Sequence, residues 1–337
     1  MSIHQGQSSR NSELNFSELS ITKIKSISKE WSLDSSHWEL LEKDNRIGVK
    51  KLVDLAGKRR KQAKLEKIRQ DKCLLYEKKF WDAGLNYVAG VDEVGRGCLA
   101  GPVVAAAVIL PMEFVLPGLD DSKKLSESKR IELDKAIREQ AISFSCFQVE
   151  AKKIDSINIL QASLEAMRNA LATLKTIPQQ VLVDGHIKPR SLFPEVPIVD
   201  GDSRSLSIAA ASVVAKVYRD KRMCDLDLKY PGYGFSKNKG YGSPLHLNAL
   251  NEKGLTPEHR KSYSPVKSIL KKSKNLHEIF LEKIASCEDL IQLDQIGQDI
   301  KSCRSKFNTK QIGKLRVSFK EKTDFIRDDK ASIDQLD

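Results

Sequence analysis

Hydrophobic and polar positions along the chain predict a central region in which short strands alternate with helices. Apolar runs of strand length cover residues 87–91, 103–110, 181–183 and 196–199, and residues 143–150 alternate between apolar and polar. Helices are predicted over residues 127–140, 160–174 and 204–222, because apolar residues recur there at helical spacing or on nearly every side. The pattern predicts an α/β fold whose first two strands form an antiparallel pair.

The regions on either side of this centre have a different character. Residues 1–20 are polar and rich in serine, which predicts a disordered tail. Residues 21–79 read as a helical, basic N-terminal extension, and residues 267–337 as a basic helical C-terminal extension. The catalytic chemistry is therefore expected within residues 80–266.

The charge of the chain indicates a polyanionic partner. The formal net charge is +12 and the isoelectric point is near 9.3, which favours nucleic acid or an anionic membrane. The N-terminal extension concentrates basic residues at Lys58, Arg59, Arg60, Lys61, Lys64, Lys67, Arg69 and Lys72. Two interpretations of this segment stay open: a helix that only aids solubility, and an arm that contacts phosphates and makes binding depend on salt.

Cysteine usage and hydropathy argue for a cytoplasmic protein. The six cysteines form no C-x-x-C pair and lie near no histidine cluster, so reduced thiols are expected rather than disulfides or a zinc site. No apolar run approaches the roughly 20 residues that span a bilayer. The N-terminus has no continuous apolar segment and carries Glu13 and Glu18, which argues against a signal peptide.

Acidic residues at the ends of three predicted strands form the candidate catalytic centre. Asp92 and Glu93 follow the first strand, Asp184 follows the fourth, and Asp200 or Asp202 follows the fifth. Carboxylates brought together repel one another and raise their own pKa values unless a cation compensates. Oxygen ligands alone favour Mg²⁺ or Mn²⁺, and two such ions, roughly 3.5–4 Å apart, would clamp the attacking water and the leaving oxygen of a phosphodiester.

Some of these residues also have a purely structural interpretation. Asp202 precedes a helix and could be its N-cap, while Asp184 and the glycine after it could form a turn. Adjacent acids at a strand end gain nothing structurally, so Asp92 and Glu93 are hardest to explain in this way. The glycines at 95 and 97 do not indicate a dinucleotide-binding turn, because Pro102 and a strand follow them instead of a helix.

Residues 230–263 are rich in glycine, tyrosine, lysine and histidine. Aromatic residues interleaved with basic ones suit stacking on a base or sugar beside phosphate contacts. The alternative is a structural loop whose tyrosines pack on the core.

Several long motifs, in order across residues 85–266, resemble the bacterial ribonuclease HII family. They are Val91-Asp92-Glu93-Val94-Gly95-Arg96-Gly97-Cys98-Leu99-Ala100-Gly101-Pro102-Val103-Val104-Ala105-Ala106-Ala107-Val108, Asp121-Ser122-Lys123-Lys124-Leu125, Leu182-Val183-Asp184-Gly185, Gly201-Asp202-Ser203, Ala209-Ala210-Ala211-Ser212-Val213-Val214-Ala215-Lys216-Val217 and His259-Arg260-Lys261-Ser262-Tyr263. The region before the catalytic domain resembles a helical extension of some members, best at Asp44-Asn45-Arg46-Ile47-Gly48-Val49-Lys50-Lys51-Leu52.

The resemblance implies a ribonuclease H-like fold, a mixed five-stranded sheet flanked by helices. It implies a metal-dependent endonuclease that hydrolyses RNA in RNA–DNA hybrids and cuts 5′ of ribonucleotides embedded in duplex DNA, leaving 5′-phosphate and 3′-hydroxyl ends. Two Mn²⁺ or Mg²⁺ ions are expected as cofactors, and the protein is expected to act as a monomer, away from membranes, in ribonucleotide excision repair.

The resemblance also assigns roles to individual residues. Asp92, Glu93, Asp184 and Asp202 would be the catalytic and metal-binding carboxylates. The substrate-binding residues would be Gly95, Arg96 and Gly97, which read the ribose 2′-hydroxyl, Ser122 and Lys123, which hold a phosphate, and Tyr241, which stacks on the next sugar.

Three other interpretations stay open. Ribonuclease HIII shares much of the pattern, although the intact Gly95-Arg96-Gly97 and the lack of a β-rich N-terminal domain favour HII. A resolvase of the same fold would act on DNA alone. A catalytically silent hybrid-binding protein is the third, and the intact carboxylates argue against it.

Overall fold

The computed structural model describes residues 16–333, with side chains to residue 327. The chain divides into two compact units between Lys72 and Cys73. Residues 1–15 of the predicted disordered tail lie outside the described residues. The prediction does not hold at the end of that tail, where Phe16–Glu18 forms a 3-10 helix and Phe16 is buried.

The first unit is a small helical assembly around an aromatic and aliphatic cluster. Its helices are α1 (Ile21–Ile27), α2 (His37–Glu42) and α3 (Ile47–Cys73), the last ending one residue into the second unit. Phe16, Ile24, Trp38 and Leu41 are buried together. Arg46 ties the turn before α3 to the start of the chain, because its guanidinium donates to the carbonyls of Phe16 and Leu19.

The second unit contains a five-stranded sheet and ten helices in its described part. Its first ten elements are α4 (Leu75–Trp81), β1 (Val88–Val94), β2 (Val103–Ile109), α5 (Glu127–Gln140), β3 (Ser143–Val149), α6 (Ala151–Ile157), α7 (Ile159–Ala172), β4 (Gln180–Asp184), β5 (Glu195–Ile198) and α8 (Leu206–Lys229). The remaining helices are α9 (Phe235–Asn238), α10 (Pro244–Lys253), α11 (Ser264–Ser286), α12 (Leu290–Ser302) and α13 (Thr309–Ile333).

The sheet has the order β3-β2-β1-β4-β5 and is mixed. β1 pairs antiparallel with β2 and parallel with β4, so the predicted antiparallel pair and the predicted mixed five-stranded sheet are both confirmed. β1 continues past its predicted end at residue 91, because Asp92 and Glu93 remain paired with Ala106 and Ala105 of β2. The two acids are therefore inside the strand and held by its ladder.

Helices cover both faces of the sheet. One face packs against α8 and α5, the other against α6 and α7. α8 approaches β1 so closely that a Cβ at Gly90 would lie 2.2 Å from the backbone carbon of Ser207. The glycine therefore lets the start of α8 rest directly on the strand that carries Asp92 and Glu93.

The C-terminal region is helical within the described residues. α11, α12 and α13 surround a core of their own, which includes Phe280, Leu293, Phe307 and Leu315. Within the described residues no helix is both long and apolar enough to cross a bilayer. All six cysteines are free thiols.

The glycine- and tyrosine-rich region is more regular than a loop, because it contains α9 and α10. Tyr233 packs on the core, because it is buried against Phe235, whereas Tyr241 is 47% exposed and its stacking role stays a prediction. His246 Nδ1 is 2.8 Å from the carbonyl oxygen of Tyr241, and its Nε2 is 3.0 Å from Nε2 of His259. The buried histidine pair therefore braces the backbone that carries Tyr241.

This pair predicts a loss of stability in mild acid. Burial, and then the neighbouring His246, lower the pKa of His259 to about 4. The unfolded chain, with a histidine pKa near 6.5, binds a proton more readily than the folded protein between those values, so stability falls as the pH drops from 6.5 towards 4. The contribution of His259 is at most about 3 kcal/mol. Urea unfolding at pH 7 and pH 5 measures how much the free energy of unfolding falls over this range.

The matched variants are His259→Gln and His186→Gln, the second at an exposed position. The difference in free energy of unfolding between pH 7 and pH 5 should shrink in His259→Gln and stay unchanged in His186→Gln. An undiminished difference in His259→Gln would contradict the assignment.

Candidate active site

Three neighbouring strands bring the predicted acids to one edge of the sheet. The parallel register pairs Val91 with Val183, so Asp92 and Asp184 are the next residues on adjacent strands. Asp184 in turn pairs with Ile198 of β5, and the chain then turns within four residues to Asp202 in a 3-10 helix, Gly201–Ser203. The Asp184 Oδ1 atom accepts the N–H of Gly201 at 2.8 Å, which fixes this turn against the end of β4.

The acids are close enough to perturb one another. Burial, followed by the charges of Glu93 and Asp184, raises the pKa of Asp92 well above its ordinary value. Burial also raises the pKa of Glu93, against the opposing effect of Arg96, and Asp184 adds to the rise. Burial is again the largest cause of the raised pKa of Asp202, followed by the charges of Asp121 and Asp184. Together these groups form one electrostatic cluster that disfavours its own ionisation.

Two basic side chains partly neutralise the cluster. Nη1 of Arg96 lies 3.0 Å from Oε1 of Glu93, and Nζ of Lys123 lies 3.5 Å from Oδ2 of Asp202. Lys123 also lies 4.0 Å from Asp121. Both basic side chains are largely exposed, whereas the acids they meet are mostly buried.

The structural alternatives for two of the acids can now be decided. The N-cap of α8 is Ser205, whose hydroxyl accepts the N–H of Ile208, so Asp202 is not that cap. Gly185 does adopt a positive φ of 88°, so a turn follows Asp184, but the carboxylate of Asp184 still belongs to the cluster. Asp200 precedes the 3-10 helix in a left-handed conformation.

The donor set fits a hard divalent cation. Four carboxylates from β1, β4 and the 201–203 turn supply only oxygen ligands, which Mg²⁺ and Mn²⁺ prefer. The raised pKa values of Asp92, Glu93 and Asp202 show why a cation would be stabilised there. Within residues 16–327, however, no three His, Cys, Asp or Glu side chains are already gathered in the geometry of a metal site. In this structure Arg96 and Lys123 contact two of the acids instead.

A buried arginine shapes the turn that follows β1. Arg260 is fully buried, and its guanidinium donates to the carbonyls of Gly95 at 2.7 Å, Arg96 at 2.7 Å and Gly101 at 2.9 Å. Tyr263 donates a further hydrogen bond to the Arg96 carbonyl at 2.6 Å. In a trans peptide the carbonyl and the following N–H point in opposite directions. The N–H groups of Arg96 and Gly97 are therefore directed away from Arg260.

A second buried arginine packs behind the same turn. Arg219 of α8 donates to the carbonyls of Pro102 at 2.9 Å and Lys239 at 2.8 Å. Gly95 has a φ of 93°, and a Cβ there would lie 2.1 Å from Nε of Arg219. Glycine at this position is therefore required both by the backbone conformation and by the arginine behind it.

The structure brings Tyr241 next to this turn. A Cβ added at Gly97 would lie 3.8 Å from Cε1 of Tyr241, so the exposed ring flanks the turn. Ser122, unlike Tyr241, is not on the surface. It is buried, and its hydroxyl oxygen lies 2.9 Å from that of Ser212 on α8.

Several residues that organise the site are not evident from the sequence. Arg219 lies among several charged residues in the second half of α8, and Arg260 stands out only as part of a motif. A fully buried arginine is rare without a structural or functional task. That rarity is not visible in the sequence, because burial of these two residues depends on how α8 and the 256–263 segment pack.

Known proteins match this chain over most of its length. The family model described as "Ribonuclease HII" matches residues 89–266, and the model described as "Ribonuclease HII N-terminal domain" matches residues 20–81. The chain is 46% identical to ribonuclease HII of Bacillus cereus strain Q1 over 241 residues, which cover 72% of this chain and 93% of that protein. A Bacillus anthracis ribonuclease HII (strain CDC 684 / NRRL 3495) matches with the same identity and coverage.

Among solved structures, the ribonuclease H2 of Pyrococcus horikoshii OT3 aligns with a TM-score of 0.49 and 26% identity, over 55% of this chain and 97% of that chain. The sequence matches cover the strands, the acidic cluster and the turn after β1. The chain thus belongs to the ribonuclease HII family of metal-dependent endoribonucleases, which degrade RNA in RNA–DNA hybrids.

Proposed function

We propose that this protein hydrolyses the RNA strand of RNA–DNA hybrids and also cuts on the 5′ side of ribonucleotides embedded in duplex DNA, leaving 5′-phosphate and 3′-hydroxyl ends. The observation that carries the proposal is the acidic cluster of Asp92, Glu93, Asp184 and Asp202 beside a turn with outward N–H groups. In this proposal the protein works as a monomer in the cytoplasm, in the excision of ribonucleotides from DNA.

The four carboxylates are the proposed metal ligands. When bound, two Mg²⁺ or Mn²⁺ ions would supply an activated water and stabilise the leaving 3′-oxygen. The chain contributes the rigid placement of the acids, since Asp92 and Glu93 are held by the β1–β2 ladder and Asp184 by β4. Arg96 and Lys123 offset the negative charge of Glu93 and Asp202.

Substrate recognition is proposed to lie in the adjoining turn. The N–H groups of Arg96 and Gly97 suit the oxygen of a ribose 2′-hydroxyl, the group that separates RNA from DNA. Tyr241 is exposed beside Gly97, where its ring can stack on the next sugar. Lys123 is exposed near Asp202 and suits a backbone phosphate, while buried Ser122 would act mainly by fixing the segment before Lys123.

The basic N-terminal extension is proposed to bind the substrate backbone. Lys58, Lys61, Lys64 and Lys67 are exposed on α3. Exposed lysines contact phosphates as point charges, and each phosphate they neutralise releases counterions.

Replacing Asp92 by asparagine tests the catalytic assignment. The amide keeps the size of the side chain and an oxygen that can accept the Glu93 N–H, which now donates to Asp92 at 2.7 Å. The substitution removes the charge, so cleavage should fall by about 10³-fold or more while hybrid binding is retained. The assay uses a labelled duplex with one ribonucleotide, beside an all-DNA duplex, with Mg²⁺ or Mn²⁺.

Asp225→Asn, at an exposed position of α8, is the matched control and should cleave normally. Cleavage of the wild-type protein only at the 5′ side of the ribonucleotide supports the proposal. Cleavage of the all-DNA duplex would favour a resolvase, and binding without cleavage would favour a silent hybrid-binding protein. Normal turnover by Asp92→Asn would contradict the assignment of Asp92 as a catalytic metal ligand.

Gly97→Ala tests the recognition of the 2′-hydroxyl. Unlike Gly95, Gly97 has no positive φ, and its added methyl meets only Tyr241 at an ordinary contact distance of 3.8 Å. The fold should be kept, but the methyl would lie where a ribose must approach the turn. Cleavage at a single ribonucleotide should fall about 10-fold or more, equivalent to about 1.4 kcal/mol.

The melting temperature and the cleavage rate are measured for Gly97→Ala and for Gly313→Ala, an exposed helical glycine whose added Cβ meets nothing within 4 Å. Full activity of Gly97→Ala at a single ribonucleotide would contradict the proposed role of the turn in substrate recognition.

A charge-neutralising variant tests the N-terminal extension. Changing Lys58, Lys61, Lys64 and Lys67 to glutamine should weaken hybrid binding and flatten the dependence of log K on log salt by about 0.9 for each phosphate that is no longer neutralised. The control changes four exposed lysines of the C-terminal region, Lys271, Lys274, Lys310 and Lys314, to glutamine. If both quadruple variants change the slope equally, α3 has no specific role and serves solubility.

A further inference from the structure

Helix α4 makes a row of contacts with the segment that carries Asp202. Sγ of Cys73, at the junction before α4, donates to the carbonyl of Ser203 at 3.5 Å. The hydroxyl of Tyr76 accepts a hydrogen bond from Arg204 at 2.5 Å, and the guanidinium of Arg204 also lies over the Tyr76 ring. The segment from Ser203 to Ser207 thus lies along residues 73–77 in the same order.

Glu77 makes the most buried of these contacts. Its Oε1 accepts the hydroxyl of Ser205 at 2.6 Å and the N–H of Ser207 at 2.9 Å, and all three residues are fully buried. The other oxygen, Oε2, has no hydrogen-bond partner. A buried carboxyl group with an unpaired oxygen is costly, and an apolar residue would fill the same space at lower cost. An apolar residue could not form the hydrogen bonds that fix the positions of Ser205 and Ser207.

The bonds continue from Ser205 to the active site. The N–H of Ser205 donates to the carbonyl of Gly201 at 2.8 Å, and the N–H of Gly201 donates to Asp184 at 2.8 Å. Asp202 lies between Gly201 and Ser205, so this chain of bonds ties together the backbone before and after Asp202 and ends at the carboxylate of Asp184. The backbone that carries Asp202 is therefore tied to α4 as well as to the sheet.

We propose that Glu77, assisted by Tyr76, is a positioning residue that holds Asp202 in place for a divalent ion. The inference rests on the proposed function in one respect, the role of Asp202 as a metal ligand. The proposal also assigns a function to α4, the helix that carries both residues. The match to the N-terminal domain of the family includes α4, yet α4 folds as part of the unit that contains the sheet. In this proposal, the end of that domain helps to position a residue of the active site.

The test measures Mn²⁺ binding by calorimetry in the absence of substrate, with the full chain. Glu77→Ala removes both bonds and should weaken Mn²⁺ binding by about 10-fold, the usual effect of losing a group that orients a metal ligand. Glu77→Gln keeps an oxygen that accepts from Ser205 and Ser207, so it should restore affinity to within about 2-fold of wild type. Tyr76→Phe, which removes only the hydroxyl, should give a smaller loss in the same direction.

Leu133→Ala separates positioning from general loss of stability. Leu133 is a buried core residue of α5, and its truncation should lower the melting temperature without changing Mn²⁺ affinity. Cleavage assays add a second readout: Glu77→Ala should need about 10-fold more Mn²⁺ for half-maximal activity, with the KM for substrate at saturating Mn²⁺ unchanged.

Combining Glu77→Ala with Asp202→Asn distinguishes the inference from the function on which it rests. If Glu77 acts through Asp202, the double variant should bind Mn²⁺ no more weakly than Asp202→Asn alone. Additive losses, or wild-type affinity in both Glu77→Ala and Tyr76→Phe, would overturn the positioning role while leaving the proposed function intact. Wild-type affinity in Asp202→Asn would overturn the metal-ligand assignment of Asp202 itself.

Discussion

Mutual repulsion among carboxylates at one edge of the sheet is the constraint around which this protein is built. Burial and neighbouring carboxylates push Asp92, Glu93 and Asp202 towards their neutral forms, and Asp184 contributes its charge to each of the three. A fold gains no stability from such an arrangement, so the surrounding structure must hold it. The β1–β2 ladder, the end of β4 and the bonds from α4 do so from three directions.

Strand β1, which carries Asp92 and Glu93, also leads into the turn that is proposed to recognise the substrate. The turn at Gly95-Arg96-Gly97 begins two residues after Glu93, and Arg260 and Tyr263 hold the carbonyls of Gly95 and Arg96. This leaves two N–H groups on the opposite side. Reading a hydroxyl with backbone donors requires a turn that cannot relax, and two buried arginines packed behind it provide that rigidity. Metal binding and recognition of the 2′-hydroxyl are therefore proposed to occur side by side, because the turn lies close in the chain to the proposed metal ligand Glu93.

The order of the strands and of the main helices between them could be predicted from the sequence, because hydrophobic periodicity is a local property, whereas α6, α9 and α10 were not predicted. The strands, the antiparallel first pair and the long helices followed from it, and the motifs at Asp92, Asp184 and Asp202 indicated which strand ends mattered. The end of β1 was placed too early, since Asp and Glu are poor strand residues and only the pairing with β2 keeps them extended. The structural roles of Arg219, Arg260 and Glu77 were not predicted, because those roles come from burial and from partners distant in the sequence.

The central claim is that the acidic cluster exists to hold divalent cations, and anomalous diffraction from crystals grown with Mn²⁺ tests it most directly. The account predicts anomalous peaks among Asp92, Glu93, Asp184 and Asp202, with Glu93 and Asp202 turned from Arg96 and Lys123 towards the ions. Crystals that contain Mn²⁺ at concentrations sufficient for cleavage, but show no peak at these carboxylates, would contradict it.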